Sequence, residues 1–159
     1  MDPDRLERLR QDSRLFLDRD GRLFHEGMPV EHPRVLKAFH RGFARSPDGR
    51  PTVHFGGTWA YLQVEDTLFR VTELELTESG GRVCRLVATL DDETVEPVPL
   101  EPGRIALGSD GVLSVRVKQG SEWARCAPGA HALLGQFLDE QGAGLVLPTV
   151  AGDVAIGTR

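Results

Sequence analysis

The chain has 159 residues, of which 40% are hydrophobic and 27% charged, with 18 Gly and 10 Pro; these values match ordinary globular domains. A chain of this size hides roughly two-thirds of the surface its unfolded form exposes, which excludes collagen-like, disordered and disulfide-stapled classes. The formal net charge is −5, no apolar run approaches the ~20 residues of a membrane helix, and the opening MDPDRLERLRQ is charged where a secretion signal is apolar; the expectation is a cytoplasmic protein with no membrane partner.

Residues 3–13 carry Leu6 and Leu9 among charges behind Pro3, which predicts a short amphipathic helix with a thin apolar stripe. In RLFLDRDGRLFHEG two apolar runs flank Asp20-Gly21, a dipeptide suited to a tight hairpin. Pro33 opens a second helix, expected over 33–45, with Val35, Leu36, Phe39 and Phe43 on one face and Ser46-Pro47-Asp48-Gly49 as its stop. From Pro51 the apolar period becomes two. Val53 and Phe55, Tyr61 to Val64, Phe69 to Val71, Leu74 and Leu76, and Val83 to Leu90 read as a meander broken at Gly56-Gly57, Glu65-Asp66 and Ser79-Gly80-Gly81. Within its last strand Cys84, Leu86, Ala88 and Leu90 share the expected core face. Pro97, Pro99 and Pro102 mark residues 91–103 as a connection.

The order then begins again. Arg104 to Leu113 follows the pattern of Arg14 to Leu23, with Asp110-Gly111 in place of Asp20-Gly21. Pro128 opens a helix expected over 129–141 (Ala130, Leu133, Leu134, Phe137 and Leu138, stopped by Gly142), and a strand pair GLVLPTVAGDVAIG follows. The expected fold class is α+β: a mostly antiparallel sheet with two main helices and two related halves from an internal duplication. The segments are an N-terminal helix (1–13), a first half (14–96) and a second half (104–159) packed as one unit. Leu36, Phe39, Phe43, Leu86, Leu133, Leu134 and Phe137 are the expected core.

Chemistry is sparse. Nucleophile elbows, phosphate loops, dinucleotide fingerprints and zinc-helix motifs are absent from the sequence, and Gly142-Ala143-Gly144 follows a helix and so reads as its stop. Cys84 and Cys126 are too few for a zinc cluster and read as buried thiols. His25, His32, His40 and His54, with Glu26 and Asp66, carry metal-ligating groups. His32 and His40, however, are eight apart, about 80° and two turns on a helix, too far to share an ion, so neither a metal nor another cofactor is expected. From 65 to 101 ten acidic residues face only Arg70, Arg82 and Arg85, which would repel phosphate backbones and disfavours nucleic acid. Glu65-Asp66 beside Val64 and Phe69 has the makings of an acid–base dyad, but adjacent strand residues point to opposite faces, which favours a hydrogen-bonded bulge. Trp59, Tyr61 and Trp123 read as core rings before groove rings. The expected binding surface is the junction of the first hairpin with the Val64-Glu65-Asp66 strand, involving Glu26, Trp59, Glu65 and Asp66, facing a protein partner or small ligand with basic or neutral polar groups; no catalytic residue is assigned.

The segment DGRLFHEGMPVEHPRVLKAFHRGFARSPDGR, followed by LQVEDTLFRV, resembles the bacterial DUF1285 family. Asp20, Gly21, Gly27, Pro29, Phe39, Asp48, Gly49, Val64, Glu65, Asp66 and Phe69 match its motifs over residues 14–76, and element order alone extends to the C-terminus. The chain departs from the family pattern at Phe55-Gly56-Gly57-Thr58, where the family has a T-P-x-E segment, and at Leu68, where it has proline. The resemblance implies a small α+β fold with repeated motifs, no established catalytic residues and a regulatory role in bacterial signal transduction. The first functional expectation is therefore a non-enzymatic regulatory or protein-interaction module. The alternatives are a small-molecule or metal-binding enzyme using the first-half His and acidic residues, and a subunit that forms homo-oligomers through sheet edges or the N-terminal helix.

Overall fold

The computed structural model describes residues 2–159; residue 1, which opens the helical segment expected over 1–13, lies outside the described residues. The chain forms two compact units that divide between Leu68 and Phe69, so the long strands within 69–96 belong to the second unit.

The first unit begins with α1 (Pro3–Gln11), capped by Asp2, whose Oδ1 accepts the Asp4 N–H at 3.2 Å. It stops two residues before the expected 13. Strands β1 (Leu15–Leu17) and β2 (Leu23–His25) form the expected Asp-Gly hairpin. Its turn is tied by Asp18, which is buried: Oδ1 accepts the N–H groups of Asp20 (3.0 Å) and Arg22 (2.8 Å), and Oδ2 accepts Arg22 Nε (2.8 Å). Gly21 supplies the positive φ of +85°. Strand β3 (Met28–Pro29) adds antiparallel to β2. Helix α2 (Pro33–Arg41) ends four residues before the expected 45, and Phe43 lies instead in β4 (Phe43–Arg45). The cause is Gly42, where a Cβ would lie 1.9 Å from the His54 carbonyl oxygen, while the Gly42 carbonyl accepts the His54 N–H at 2.8 Å. That close backbone approach turns the chain into the antiparallel sheet of β4, β5 (Pro51–Phe55) and β6 (Thr58–Tyr61), after which β7 (Gln63–Val64) returns parallel to β1.

The second unit opens with the long antiparallel pair β8 (Phe69–Ser79) and β9 (Arg82–Leu90), to which β10 (Val95–Pro97) adds. Leu86, Ala88 and Leu90 are buried as expected, but Cys84 is exposed. A register shift pairs Arg85 with Thr77 and Val83 with Glu78, so Cys84 is the extra residue of a bulge and Val83 takes the buried position. At the other end of the pair Arg70 and Asp91 form a buried ion pair: Nε to Oδ2 is 2.6 Å, and the two side chains are 4% and 12% exposed. The remaining elements are β11 (Ile105–Leu107), β12 (Leu113–Val117), β13 (Glu122–Cys126), α3 (Pro128–Gly135), β14 (Asp139–Gln141), β15 (Gly144–Thr149), β16 (Gly152–Ala155) and β17 (Gly157–Thr158). Helix α3 stops short of the expected 141. The Phe137 and Leu138 amides bond the carbonyls of Leu134 and Gly135, three residues back, and this tightened turn delivers 139–141 to the sheet as a strand.

The α+β class holds, but the sheet is mixed and not mostly antiparallel: β1 with β7, β8 with β13, β9 with β15 and β11 with β17 all pair in parallel. A parallel pair needs a crossover between its strands, and the intervening helix and strands supply it. Of the expected core, Phe43, Leu86 and Leu134 are buried, whereas Leu36, Phe39, Leu133 and Phe137 are half-buried.

Beyond β8–β10, the second unit repeats pairings of the first. Leu17 pairs with Leu23, and 90 positions later Leu107 pairs with Leu113. Val53 pairs with Ala60, and 94 positions later Leu147 pairs with Val154. In the first unit the last strand lies parallel to the first, Leu17 beside Val64, and in the second β17 lies parallel to the first strand of the Asp110-Gly111 hairpin, Leu107 beside Thr158.

Because the Gly42 contact is with backbone, it has no flexible partner to yield. Gly42→Ala is expected to destabilise the protein by at least about 2 kcal/mol, measured by urea unfolding, whereas Gly49→Ala, with nothing within 4 Å of its added Cβ, costs only the positive-φ strain of about 1 kcal/mol.

Candidate functional site

The four residues singled out from the sequence all lie in the first unit, at separate places. Glu65 follows β7; its N–H bonds the Leu17 carbonyl at 2.9 Å and its carboxylate pairs with Arg19. Asp66 is half-buried and has interactions of its own. Glu26 is exposed in the β2–β3 turn with φ +52°; its N–H bonds the Arg14 carbonyl at 3.0 Å and its carboxylate lies 3.7 Å from Arg14 Nη1. Arg14 precedes β1 and Leu17 ends it, so Glu26 and Glu65 sit at opposite ends of that strand, roughly 10 Å apart along it. Glu65 and Asp66 are thus together, whereas Glu26 is not with them.

Trp59 belongs to a third place, on β6. Its ring is half-buried, carries the Arg10 guanidinium carbon 4.2 Å from the ring centroid, and meets Tyr61 edge-on at 5.1 Å. Arg50 covers the Tyr61 ring at 3.6 Å. The expectation of core rings is therefore met only in part, since one face of each ring is closed by a guanidinium and not by apolar packing.

Beside Trp59, helix α1 and the β4–β6 sheet enclose an apolar groove of about 280 Å³, lined by Leu6, Leu9, Arg10, Phe39, Phe55 and Trp59 among others. Phe39 and Phe55 stack at 4.7 Å with planes 10° apart. Arg10 brings the only charge among the residues lining this groove, and its Nε–H is buried without a hydrogen-bond partner. A buried donor left unpaired is costly. Of these groups the sequence had offered only Trp59 as a site residue. The signal for the rest was the spacing of Leu6, Leu9 and Arg10, which places all three on one helical face.

None of the histidines gathers a metal set: among the described residues no group of three His, Cys, Asp or Glu side chains is placed to hold an ion. His40 Nε2 lies 3.2 Å from the Gly21 carbonyl and ties α2 to the first turn, and His131 Nδ1 accepts the Leu113 N–H at 3.2 Å and ties α3 to β12. The carboxyls of Asp48, Asp110 and Asp92 are shifted, each with a structural cause. The Ser46 hydroxyl lowers Asp48, and Arg125 lowers Asp110, helped by the Val112 N–H. Burial works against the charge of Asp92, but hydrogen bonds from Lys118 and Thr94 outweigh it and hold the carboxyl below the usual range. Burial pushes the Cys126 thiol up to about 12.

No protein-family model matches the sequence, and no curated protein matches it. Solved structures do. A DUF1285 family protein from Silicibacter pomeroyi DSS-3 superposes with a TM-score of 0.71 at 18% identity, over 93% of this chain and 81% of that one. A second, from Shewanella baltica OS155, gives 0.57 at 13% identity, over 79% of this chain and 92% of that one. The fold is therefore DUF1285-like, as the sequence resemblance implied.

The carboxylates of the first hairpin differ sharply in their expected weight. Asp18→Ala leaves the Asp20 and Arg22 backbone donors unpaired and removes the partner of Arg22 Nε, and should cost about 2–3 kcal/mol in thermal or urea unfolding, whereas Glu65→Gln, which breaks a pair with both partners substantially exposed, should cost under about 1 kcal/mol. For Asp92 the sign follows from its lowered folded-state value: its contribution is complete above the ordinary 3.8 and is lost as pH falls through the lower folded value. Urea unfolding followed between pH 5 and 2 should therefore show a steeper acid loss in the wild type than in Asp92→Asn.

Proposed function

We propose that the chain is a non-enzymatic regulatory module that senses a small amphipathic carboxylate in the groove between α1 and the β4–β6 sheet. The observation that carries this reading is the buried, unpartnered Nε–H of Arg10 at the wall of an otherwise apolar, aromatic-lined cavity. Few polar groups in an apolar pocket are the usual form of a small-ligand site. A carboxylate would satisfy the Arg10 donor, and Phe39, Phe55 and Trp59 would cover an aryl or alkyl body. The regulatory element is α1 itself. None of its residues is buried, so its docking rests on few apolar contacts, and a ligand touching Leu6, Leu9 and Arg10 shifts that equilibrium toward the docked state. A cytoplasmic setting, a role in signal transduction through a protein partner, and the absence of nucleic acid among its partners complete the proposal; the acidic stretch 65–101 and the lack of any described helix long and apolar enough to cross a membrane accord with it. We also infer that the two units descend from an internal duplication, a view supported by identical pairings at offsets of 90 and 94.

Trp59 is a built-in reporter once Trp123 is replaced by Phe. Phenylacetate and hexanoate are expected to change Trp59 fluorescence and to slow hydrogen exchange in α1, with phenylacetamide binding at least tenfold more weakly and Arg10→Gln losing the same preference. Equal binding of acid and amide, or no protection of α1 at saturation, would remove this reading.

A further inference from the structure

We propose that a cleft in the second unit, independent of the groove above, binds the phosphate group of a small phosphate monoester between Arg104 and Arg116. The cleft encloses about 700 Å³ and is lined by Pro97, Pro99, Arg104, Arg116, Lys118 and Gly120 among others.

Strand pairing builds it. The Arg116 N–H donates to the Arg104 carbonyl at 2.8 Å, so these residues face each other across β11 and β12, and Arg116 in turn pairs with Trp123 on β13. Directly opposed residues project to the same face of a sheet, which puts Arg104, Arg116 and Trp123 in one row. The Trp123 ring holds Arg116 flat, with the guanidinium carbon 4.3 Å from the ring centroid. Both guanidiniums reach Gly120: Arg116 Nη1 donates to its carbonyl at 3.4 Å, and a Cβ placed there would lie 2.9 Å from Arg104 Nη1. Gly120 closes a turn in which Lys118 and Gln119 also hold positive φ, 53° and 59°. Such strain in residues other than glycine gathers at functional sites.

The charges point the same way. Like charges at directly opposed strand positions destabilise a sheet, and the first unit avoids the problem: its corresponding positions, 90 earlier, are Arg14 and Glu26, an ion pair at 3.7 Å. In the second unit a second arginine stands where that glutamate was. Of the nearby carboxylates, Asp92 and Glu96, which also lines the cleft, serve Lys118, and Glu101 engages one edge of Arg104. Glu101 pairs with Arg104 Nε at 2.8 Å, Glu96 accepts the Lys118 N–H at 2.7 Å, and Asp92 pairs with the Lys118 ammonium. Arg116 has no carboxylate partner among the described residues. A phosphate dianion carries enough charge and enough acceptor oxygens to bridge two planar guanidiniums, each through two parallel N–H donors, while a single carboxylate has only two oxygens. The proline walls and the remaining volume suit an organic body attached to it.

Calorimetry on the full chain at low ionic strength tests this with inorganic phosphate, phenyl phosphate and chloride as probes. Phenyl phosphate is expected to bind more tightly than inorganic phosphate, and both more tightly than chloride at matched ionic strength. Arg104→Gln and Arg116→Gln should each weaken phenyl phosphate at least tenfold. Glu101→Gln, an exposed change that leaves the hairpin intact, should tighten it severalfold by releasing Arg104. Phosphate acting no differently from chloride, inorganic phosphate binding as tightly as the ester, or an affinity unchanged in Glu101→Gln would each overturn the proposal, and the last remains decisive if the arginine variants fail to fold.

Discussion

Two parallel pairings close the chain on itself, β7 on β1 in the first unit and β17 on β11 in the second. Leu17 lies beside Val64 and Leu107 beside Thr158, and the residue after each pair returns a hydrogen bond: Glu65 N–H to Leu17 and Arg159 N–H to Leu107. Parallel neighbours cannot be joined by a tight turn. Everything between them, a hairpin, a third strand, a proline-opened helix and an antiparallel pair, must therefore form a crossover of the right length. The turns inside it are correspondingly constrained: Asp18 fixes the first hairpin, Gly42 lets backbone approach backbone, and the tightened turn after α3 delivers β14 to its partner. Phe39, Phe55 and Trp59 of the proposed groove and Arg116 of the proposed cleft lie within these crossovers, whereas Arg10 comes from α1, ahead of β1.

Local signals in the sequence were enough for the elements whose cause is local. The Asp-Gly hairpins, the proline starts of α2 and α3 and the apolar alternation of β9 from Leu86 to Leu90 each depend on residues within a few positions, and these appear where they were expected. The errors have a common origin in the pairing of one segment with the next, which the periodicity within a single element does not encode. Helix α2 stops at Arg41 because of His54, α3 unwinds to supply an edge strand to β15, and a bulge against Thr77 and Glu78 turns Cys84 outward. The parallel pairs were illegible for the same reason, since no periodicity encodes which strand lies beside which.

The candidate site follows the same rule. Glu65 and Asp66 are neighbours in sequence and remain so, but Glu26 is separated from them by the length of β1. The more telling pattern lay in aromatic and cationic residues far apart: Arg10 on Trp59, Arg50 on Tyr61 and Arg116 on Trp123. A guanidinium on each ring keeps a large apolar surface from water while presenting donors at its margin. Composition shows the rings and the arginines, but only the register of the strands matches one to the other. For Arg104 and Arg116 a clue existed in the shared pairing pattern of the two hairpins. The same offset that aligns the two Asp-Gly turns aligns them with Arg14 and Glu26, and the glutamate alone changes sign.

The bulge in β9 gives the molecule an asymmetric thiol chemistry. Cys126 is buried and its pKa stands at about 12, so at neutral pH it offers neither thiolate nor access to an electrophile. Cys84, carried outward by one extra residue, is exposed on a sheet strand. A maleimide or a thiol-reactive spin probe should therefore attach at one position in the native fold without any cysteine being engineered away, while unfolding doubles the number of reactive thiols and turns alkylation stoichiometry into a gauge of how much of the chain is open.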